Sequence, residues 1–415
     1  MAAPLKTNYL KTTDPALSSK PVIEGIVFLR AIMSIFVVIW HVILWNIQSG
    51  TLPPSDIFIK ERCSDPSYTF LDFISFQVLL TAVPVFILMS NYLFANNFIN
   101  ENSKDLNQDS DSFFHLKKRI RRHFLLFTFW FSVFTVYMGH FMGFSHVMKM
   151  PATVYNAIIL IVSAGGSPYY FFLSLSITQI ITYCARNLSI KWLIIMFAIS
   201  TLIIAVLPFL AISYKLPSLT AYWNPLNFLP YSFVSLLITK FLPRPDKKRH
   251  FPITDIPITN NPFKHKTSGK TVKEYKILFE HITNSILLLT VICCLFSMME
   301  WRYFTSDIIF IHQGYGIPAY ARVSLIFSST AIMLTAIFLP VKFDTLTGSI
   351  IRFMAKHSLG LYCIHFYLIM PANCLVAQHI KSFFFLLCAT SFLTATAGYI
   401  TLRILRIFIR NDLLR

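Results

Sequence analysis

The stretch from Ile26 to Trp45 constrains the fold of this chain more than any other part of the sequence. It holds about 20 residues, and as a helix rising about 1.5 Å per residue it would cross the roughly 30 Å hydrocarbon core of a bilayer. All of its side chains are apolar except Arg30, Ser34 and His41. A charged side chain inside a membrane helix is costly unless it faces protein, water or a ligand. The two ionisable residues therefore need a role within the protein.

Arg30 and His41 are expected to share one face of this helix. They are eleven residues apart in the sequence, which corresponds to about 1100° of rotation and about 16 Å along the helix axis. Such a polar stripe indicates a functional lining that is turned toward the interior of a helix bundle. The alternative is an arginine that extends to the lipid headgroups and a histidine that is hydrogen-bonded to a neighbouring helix.

The composition of the whole chain indicates a polytopic membrane protein. Of its 415 residues, 55% are hydrophobic and only 13% are charged, which is more apolar surface than a soluble fold of this size buries. The sequence predicts an all-α membrane protein, a bundle of about ten transmembrane helices. Their approximate boundaries are residues 26–45, 69–94, 123–144, 168–184, 192–211, 224–242, 283–299, 319–340, 359–375 and 383–402.

The segments between and around these spans define the expected domain organisation. The expected parts are a cytoplasmic tail at residues 1–21, a membrane domain at 22–403 and a basic cytoplasmic tail at 404–415. Residues 243–281 are expected to form a basic cytoplasmic loop, because they are too poor in apolar side chains to build a core. Residues 145–167 are expected to form another loop, in which Gly165 and Gly166 mark a turn. No outer soluble domain is expected after the last span.

The distribution of basic residues predicts the orientation of the bundle. Of 36 Lys and Arg residues, 28 fall in the tails and in the loops after the second, fourth, sixth and eighth spans, and seven in or beside loops on the other face. The positive-inside rule therefore predicts that both termini are cytoplasmic. The net charge of +18 is accordingly attributed to topology and to attraction by anionic lipid, and not to nucleic-acid binding.

Several other kinds of site are not expected. The seven cysteines form no CxxC pair and no His/Cys cluster with metal-ligand spacing, so neither a structural disulfide nor a metal is predicted. A Ser-His-Asp triad is not predicted either, because Asp72 and Glu300 lie near the ends of spans, where solvated faces are common. Ser174 and Gln179 are expected to hydrogen-bond to neighbouring helices rather than to act in catalysis.

A cationic run, Lys117 to Arg122, precedes the predicted third span. Within it Arg119 and Arg122 are three residues apart, and so lie on one face of a helix. Guanidinium groups bind phosphate through paired hydrogen bonds. The pair therefore predicts an anion clamp at the cytoplasmic surface, and ordinary positive-inside anchoring is the alternative.

Five segments spread from the first to the ninth predicted span carry a recognisable pattern. They are FLRAIMSIFVVIWH, AVPVFILMSNYLF, RIRR, YYFFLSLSITQIITY and KHSLGLYCIHFYLI. In this order they resemble the acyltransferase 3 family, integral-membrane acyltransferases that O-acetylate cell-surface glycans. The first resembles a helix with Arg and His separated by ten residues, the third Arg-x-x-Arg, and the last Ser-Leu-Gly-x-Tyr-x-x-His. The chain departs from the family pattern at Asn91, where glycine is usual, and at Val27, where many members are acidic.

The resemblance implies a donor and roles for specific residues. It implies acetyl-CoA as the acyl donor at the cytoplasmic face, with Arg119 and Arg122 contacting its phosphates. Arg30 would steady the donor or the developing charge. His41 would be the catalytic group, either as a general base or as a transiently acylated residue. The further side chains expected to line the same cavity are Ser358, Tyr362 and His365.

The predicted function is that of an O-acetyltransferase in a bacterial inner membrane. It would move acetyl from cytoplasmic acetyl-CoA to a hydroxyl of a lipopolysaccharide O-antigen, a capsule or another envelope glycan. The expected partners are membrane lipids and a glycan or lipid-linked glycan acceptor. The alternative is a transporter or flippase of a glycan precursor that uses Arg30 and His41 as a substrate site or a proton relay.

Overall fold

A computed structural model describes residues 24–48, 77–99, 108–142, 153–242, 269–306, 318–338, 346–380 and 382–408. Within these ranges the protein forms eleven α-helices and no β-strand. In chain order the helices are α1 (Glu24–Gln48), α2 (Ala82–Ile99), α3 (Gln108–Met142), α4 (Val154–Val162), α5 (Tyr170–Cys184), α6 (Ile190–Ser213), α7 (Leu229–Phe241), α8 (Gly269–Ser306), α9 (Val323–Phe338), α10 (Leu346–Ala377) and α11 (Phe383–Phe408).

Apolar helices of membrane-spanning length confirm a multi-pass membrane protein. Among the described residues, the segments of sufficient length and apolar composition are Glu24–Asn46, Leu79–Asn96, Ile190–Ser213, Glu280–Tyr303, Leu346–Ala377 and Phe384–Leu405. Two further apolar helices, α5 and α9, are shorter. Each predicted span overlaps one α-helix, while the number of about ten spans stays a prediction.

Helix α1 lies at the centre of one group of helices and packs against α2, α9, α10 and α11. Its approach to α9 depends on Gly25, since a Cβ atom there would lie 1.7 Å from the carbonyl oxygen of Ala336. Small residues allow such close contact between the backbones of membrane helices. The polar stripe of α1 is therefore enclosed by other helices on several sides.

Hydrogen bonds between side chains tie α5 to its neighbours. Gln179 of α5 donates from Nε2 to Ser90 Oγ of α2 at 3.1 Å, which confirms the predicted helix-to-helix role of Gln179. Ser232 of α7 donates from Oγ to the carbonyl oxygen of Thr178 at 3.0 Å. Ser174 is buried on the same helix. Helix α5 is thus fixed between α2 and α7.

The segment predicted as a loop at residues 145–167 contains a helix. Helix α4 is nine residues long, and the side chain of its N-cap Thr153 accepts a hydrogen bond from the backbone N–H of Asn156. The predicted turn is confirmed, because Gly165 and Gly166 have φ values of 63° and 82°. The helix was missed because its residues are too few to give a long apolar run.

The boundaries of the predicted soluble segments are only partly described. Helix α8 begins at Gly269, so the end of the predicted 243–281 loop is helical and continuous with the following span. Helix α11 continues to Phe408, past the predicted start of the last tail. The remaining parts of the tails and of this loop lie outside the described residues.

Glu300 forms a buried ion pair, so the expectation of a solvated face for Glu300 was wrong. Arg322 donates from Nε to Glu300 Oε2 at 3.3 Å, and the two side chains are only 1% and 13% exposed. Arg322 also donates to Gln77, and Ser324 donates to Glu300 from its hydroxyl and, at 3.1 Å, from its backbone N–H. Glu300 near the end of α8 and Arg322 just before α9 meet because these two helices pack together. Asp72 lies outside the described residues.

Candidate functional site

Arg30 is held by helix α10. Its Nε donates a hydrogen bond to Ser358 Oγ at 2.8 Å, and the Ser358 hydroxyl in turn donates to the carbonyl oxygen of Ala355 at 2.9 Å. Ser358 is fully buried. The guanidinium of Arg30 is therefore fixed against the bundle interior and does not extend to the lipid headgroups.

A cluster of guanidinium groups joins Arg30 of α1 to Arg119 and Arg122 of α3. Arg122 lies close enough to both Arg30 and Arg119 for their charges to repel one another. Among the described residues, none of these three groups is paired with a carboxylate. Like charges held together in this way are stabilised by a bound anion. We call this end of the bundle, with Arg119 and Arg122, the cationic end.

Neighbouring helices position the arginines at the cationic end. The guanidinium carbon of Arg119 lies 5.0 Å from the ring centroid of Phe94 of α2, which is a cation–π contact. Burial, and secondarily the charge of Arg122, lowers the pKa of Arg119. His123, one helical turn after Arg119, has its Nδ1 at 3.4 Å from Ser176 Oγ of α5. The part of α3 from Arg119 to His123 is thus anchored to both α2 and α5, while Arg122 remains exposed.

His41 packs against a second histidine, His365 of α10. The two ring centroids are 4.7 Å apart in an edge-to-face arrangement. The Nδ1 atom of His41 lies 2.8 Å from the carbonyl oxygen of Val37, and that of His365 lies 3.1 Å from the carbonyl oxygen of Leu361. A carbonyl oxygen only accepts, so Nδ1 carries the proton in both rings. In each neutral ring Nε2 then presents a lone pair.

His365 is completely buried, and its Nε2 has no hydrogen-bond partner among the described residues. Most buried polar atoms are hydrogen-bonded, so an unsatisfied one requires an explanation. The ring of Tyr362 lies 5.9 Å from that of His365, and its hydroxyl donates to the carbonyl oxygen of Pro168 at 2.5 Å. Tyr362 is thereby held by the turn before α5 and closes one side of the histidine pair.

Helices α1 and α10 bring most of the predicted site residues together. Arg30 meets Ser358, and His41 meets His365, so the same face of α1 contacts α10 at two levels about 16 Å apart along the axis. This agrees with the predicted polar stripe. Arg122 adjoins the lower level, and Tyr362 adjoins the upper one. The catalytic and binding roles of these residues stay predictions.

Two features of this region were missed in the sequence. The first is His123, although its position four residues after Arg119 places it on the same helix face. The second is the direct ring contact between His41 and His365, since the sequence predicted only that His365 lines the same cavity; the two are 324 positions apart in the chain. No local signal in the sequence predicts a contact between residues so far apart.

Comparison with known proteins identifies the family. The acyltransferase 3 family model, described as an acyltransferase domain, matches residues 23–403, which is nearly the whole chain. No curated protein sequence matches the chain, and no solved structure matches it. The resemblance carried by the five sequence segments is therefore confirmed, and with it an acyltransferase in a multi-pass membrane fold. The chain belongs to the acyltransferase 3 family.

Proposed function

We propose that the protein is an O-acetyltransferase of the bacterial inner membrane. It transfers acetyl from cytoplasmic acetyl-CoA to a hydroxyl of a cell-envelope glycan such as a lipopolysaccharide O-antigen or a capsule. The observation that carries this proposal is the two-level contact between α1 and α10, with Arg30 beside the cationic end and His41 beside His365. One face of α1 thus carries the proposed general base and an arginine beside the proposed phosphate site on α3.

The donor occupies the lower level in this proposal. Arg119 and Arg122 bind phosphates of acetyl-CoA, which relieves the repulsion between their charges. The pantetheine arm then runs from the phosphates toward the thioester, past Arg30 and on to His41. Since Arg30 lies about 16 Å below His41 along the axis, it steadies the donor and does not contact the reacting carbonyl.

The chemistry takes place at Nε2 of His41. This atom accepts the proton of the acceptor hydroxyl while the hydroxyl oxygen bonds to the acetyl carbonyl carbon. The carbon–sulfur bond then breaks, and the leaving thiolate of coenzyme A takes the proton from the imidazolium. If His41 is instead transiently acylated, the same lone pair attacks the carbonyl carbon and the thiolate of coenzyme A leaves. The acceptor hydroxyl then attacks the acetyl-imidazole, its proton goes to the thiolate, and the neutral imidazole is restored.

His365 supports this step as a hydrogen-bond acceptor. When Nε2 of His41 becomes protonated it turns from an acceptor into a donor, and the unpartnered Nε2 of His365 is the nearby buried acceptor. A hydrogen bond formed only in the charged state stabilises the transition state and not the bound substrate. His365 is therefore a positioning residue for the catalytic imidazole.

Two substitutions of His365 distinguish its role as a hydrogen-bond acceptor from a role in packing alone. His365→Leu is expected to lower kcat about 10- to 100-fold with KM nearly unchanged, since hydrogen bonds to charged groups contribute about 1.5–3 kcal/mol. His365→Gln keeps an acceptor at the same reach and is expected to retain most of kcat. Steady-state kinetics in detergent measures both, with His379→Leu, an exposed position beyond α10, as the control. Equal losses in the Leu and Gln variants would contradict the role.

The arginines of the cationic end are tested through the KM for acetyl-CoA. Arg119→Ala and Arg122→Ala are each expected to raise this KM about 10-fold or more, because each removes a charged hydrogen bond to phosphate. Arg121→Ala removes the same charge from an exposed position on another face of α3, and is expected to leave KM unchanged. If all three variants raise KM equally, the arginines act only through net charge.

The proposed activity itself is tested on cells. Surface glycan from cells with and without the protein is compared by mass spectrometry, and the glycan is expected to gain the mass of one acetyl group per modified residue. If glycan reaches the surface only when the protein is made and carries no added acetyl, the alternative function of a transporter is favoured. A transporter moves its substrate without consuming acetyl-CoA.

A further inference from the structure

An open pocket lies at the end of the bundle opposite the cationic end. It has a volume of about 470 Å³, within the range of ligand-binding pockets. Its walls are formed by α4 and by the segment between α6 and α7. The lining side chains that matter for a ligand are Tyr155, Lys215, Ser218 and Trp223. The pocket therefore combines two aromatic rings, one cation and a hydroxyl.

The two walls of the pocket are joined to each other. The hydroxyl of Tyr155 on α4 lies 3.0 Å from Ser218 Oγ in the opposite wall. Trp and Tyr are common at membrane–water interfaces simply because their rings are amphipathic. Here a hydrogen bond joins the two walls across the pocket. Aromatic residues that only anchor a protein at the interface do not require such a bond.

Lys215 occupies a backbone conformation that normally belongs to glycine. Its φ is 53°, and it follows the C-cap of α6 in a Schellman turn, with N–H bonds from Leu216 to Ala211 at 2.9 Å and from Lys215 to Ile212 at 3.1 Å. Glycine is favoured at this position because it has no Cβ. Only one other non-glycine residue of the described ranges, Ala164, has a positive φ. A ligand that uses the charge of Lys215 would give a reason for lysine at this position.

The pocket is connected to the histidine pair through packed tyrosines. Tyr222, next to Trp223, has its ring 5.2 Å from that of Tyr170, and its hydroxyl donates to the carbonyl oxygen of Gly166 at 2.8 Å. Tyr170 lies close enough to Tyr362 for their side chains to interact electrostatically. Tyr362 in turn adjoins His365. Packed tyrosines therefore lie between the pocket and the histidine pair, at the end of the bundle away from the proposed donor site.

We propose that this pocket binds the acceptor glycan through an acidic sugar, such as a uronic acid. The carboxylate pairs with the ammonium group of Lys215, and the apolar faces of the sugar rings pack on Tyr155 and Trp223. This inference rests on the proposed O-acetyltransferase function and adds the chemical class of the acceptor. A neutral glycan would not use the charge of Lys215, whereas an acidic one pairs with it.

Replacing Lys215 by glycine is the sharpest test, since it removes the charge and relieves the backbone strain in one step. Lys215→Gly is expected to keep or raise the Tm and to weaken binding of an acidic acceptor about 5-fold, the upper range for an exposed ion pair. Lys215→Asn, a neutral residue that tolerates positive φ, is expected to behave in the same way. Ala164→Gly is the matched control, because it relieves similar strain without changing charge.

The measurement is direct binding to the purified protein in nanodiscs of neutral lipid. The probes are a glucuronic acid–containing tetrasaccharide and its carboxyl-reduced counterpart. The wild type and Ala164→Gly are expected to prefer the acidic probe about 5-fold, and Lys215→Gly to show no preference. Equal binding of both probes by the wild type would overturn the proposal. The proposal would also be overturned if the wild type lost its preference for the acidic probe in nanodiscs of anionic lipid, because lipid headgroups would then occupy the site.

This experiment does not depend on catalysis. If the acidic probe binds through Lys215 but no acetyl is transferred, the proposed enzymatic function fails and the binding site stands. If acetyl is transferred but Lys215→Gly leaves the KM for the acidic acceptor unchanged, the function stands and the acceptor site is wrong. The two proposals are therefore separable.

Discussion

Replacing His41 by alanine is expected to lower the rate of acetyl transfer about 10²- to 10⁴-fold, the range that a general base contributes. The reason is that the Nδ1 proton is committed to the carbonyl oxygen of Val37, which leaves Nε2 free as the base. The measurement is kcat with saturating acetyl-CoA and acceptor.

The His41 variant needs a control for folding and for donor binding. His41→Ala is expected to retain the helical circular dichroism spectrum, the elution volume and the KM for acetyl-CoA of the wild type, because the donor is bound at the cationic end. His41→Gln keeps a polar side chain of similar reach but no base, and is expected to be as inactive as the alanine variant. Substantial activity in either variant would remove His41 from the mechanism.

The largest effect on stability is expected from Arg322→Met. The substitution leaves Glu300 buried without its cation, and removing one partner of a buried ion pair costs about 3–5 kcal/mol. Gln77 also loses a hydrogen-bond donor, while the hydroxyl and backbone N–H of Ser324 remain bonded to Glu300. Equilibrium unfolding in detergent measures the change in the free energy of unfolding.

A double variant distinguishes loss of the ion pair from loss of packing. Arg322→Met combined with Glu300→Met replaces both charges by apolar groups of similar length. It is expected to recover part of the lost stability, because the unpaired buried charge is gone although Ser324 loses its acceptor on Glu300. If the double variant is less stable than Arg322→Met alone, the two residues contribute independently and the pair is not the source of the effect. Arg403→Met, which replaces a cation at an exposed position of α11, is the control for removing a positive charge.

The sequence predicted those features that depend on local patterns. Length and apolar composition predicted the membrane helices, and the eleven-residue spacing predicted that Arg30 and His41 lie on one face of α1. The glycine pair 165–166 predicted the turn with positive φ. Each of these follows from backbone geometry or from hydrophobicity within one segment.

The remaining features depend on contacts between distant segments. Arg30 and Ser358 are separated by 328 positions, and only the family resemblance placed Ser358 near the site. The pairing of Glu300 with Arg322 was not predicted, because a charge at the end of an apolar run fits a solvated face equally well. Helix α4 was missed since its nine residues are too few to give a long apolar run.

The most direct test is acetyl transfer in proteoliposomes in which the protein has one known orientation. Radiolabelled acetyl-CoA is supplied on one side only, and a glycan acceptor is present on the opposite side. Label is expected to reach the glycan only when acetyl-CoA is on the side of Arg119 and Arg122, and only with His41 intact. Glycan that crosses the membrane without label, or label transferred equally from either side, would contradict the proposed O-acetyltransferase.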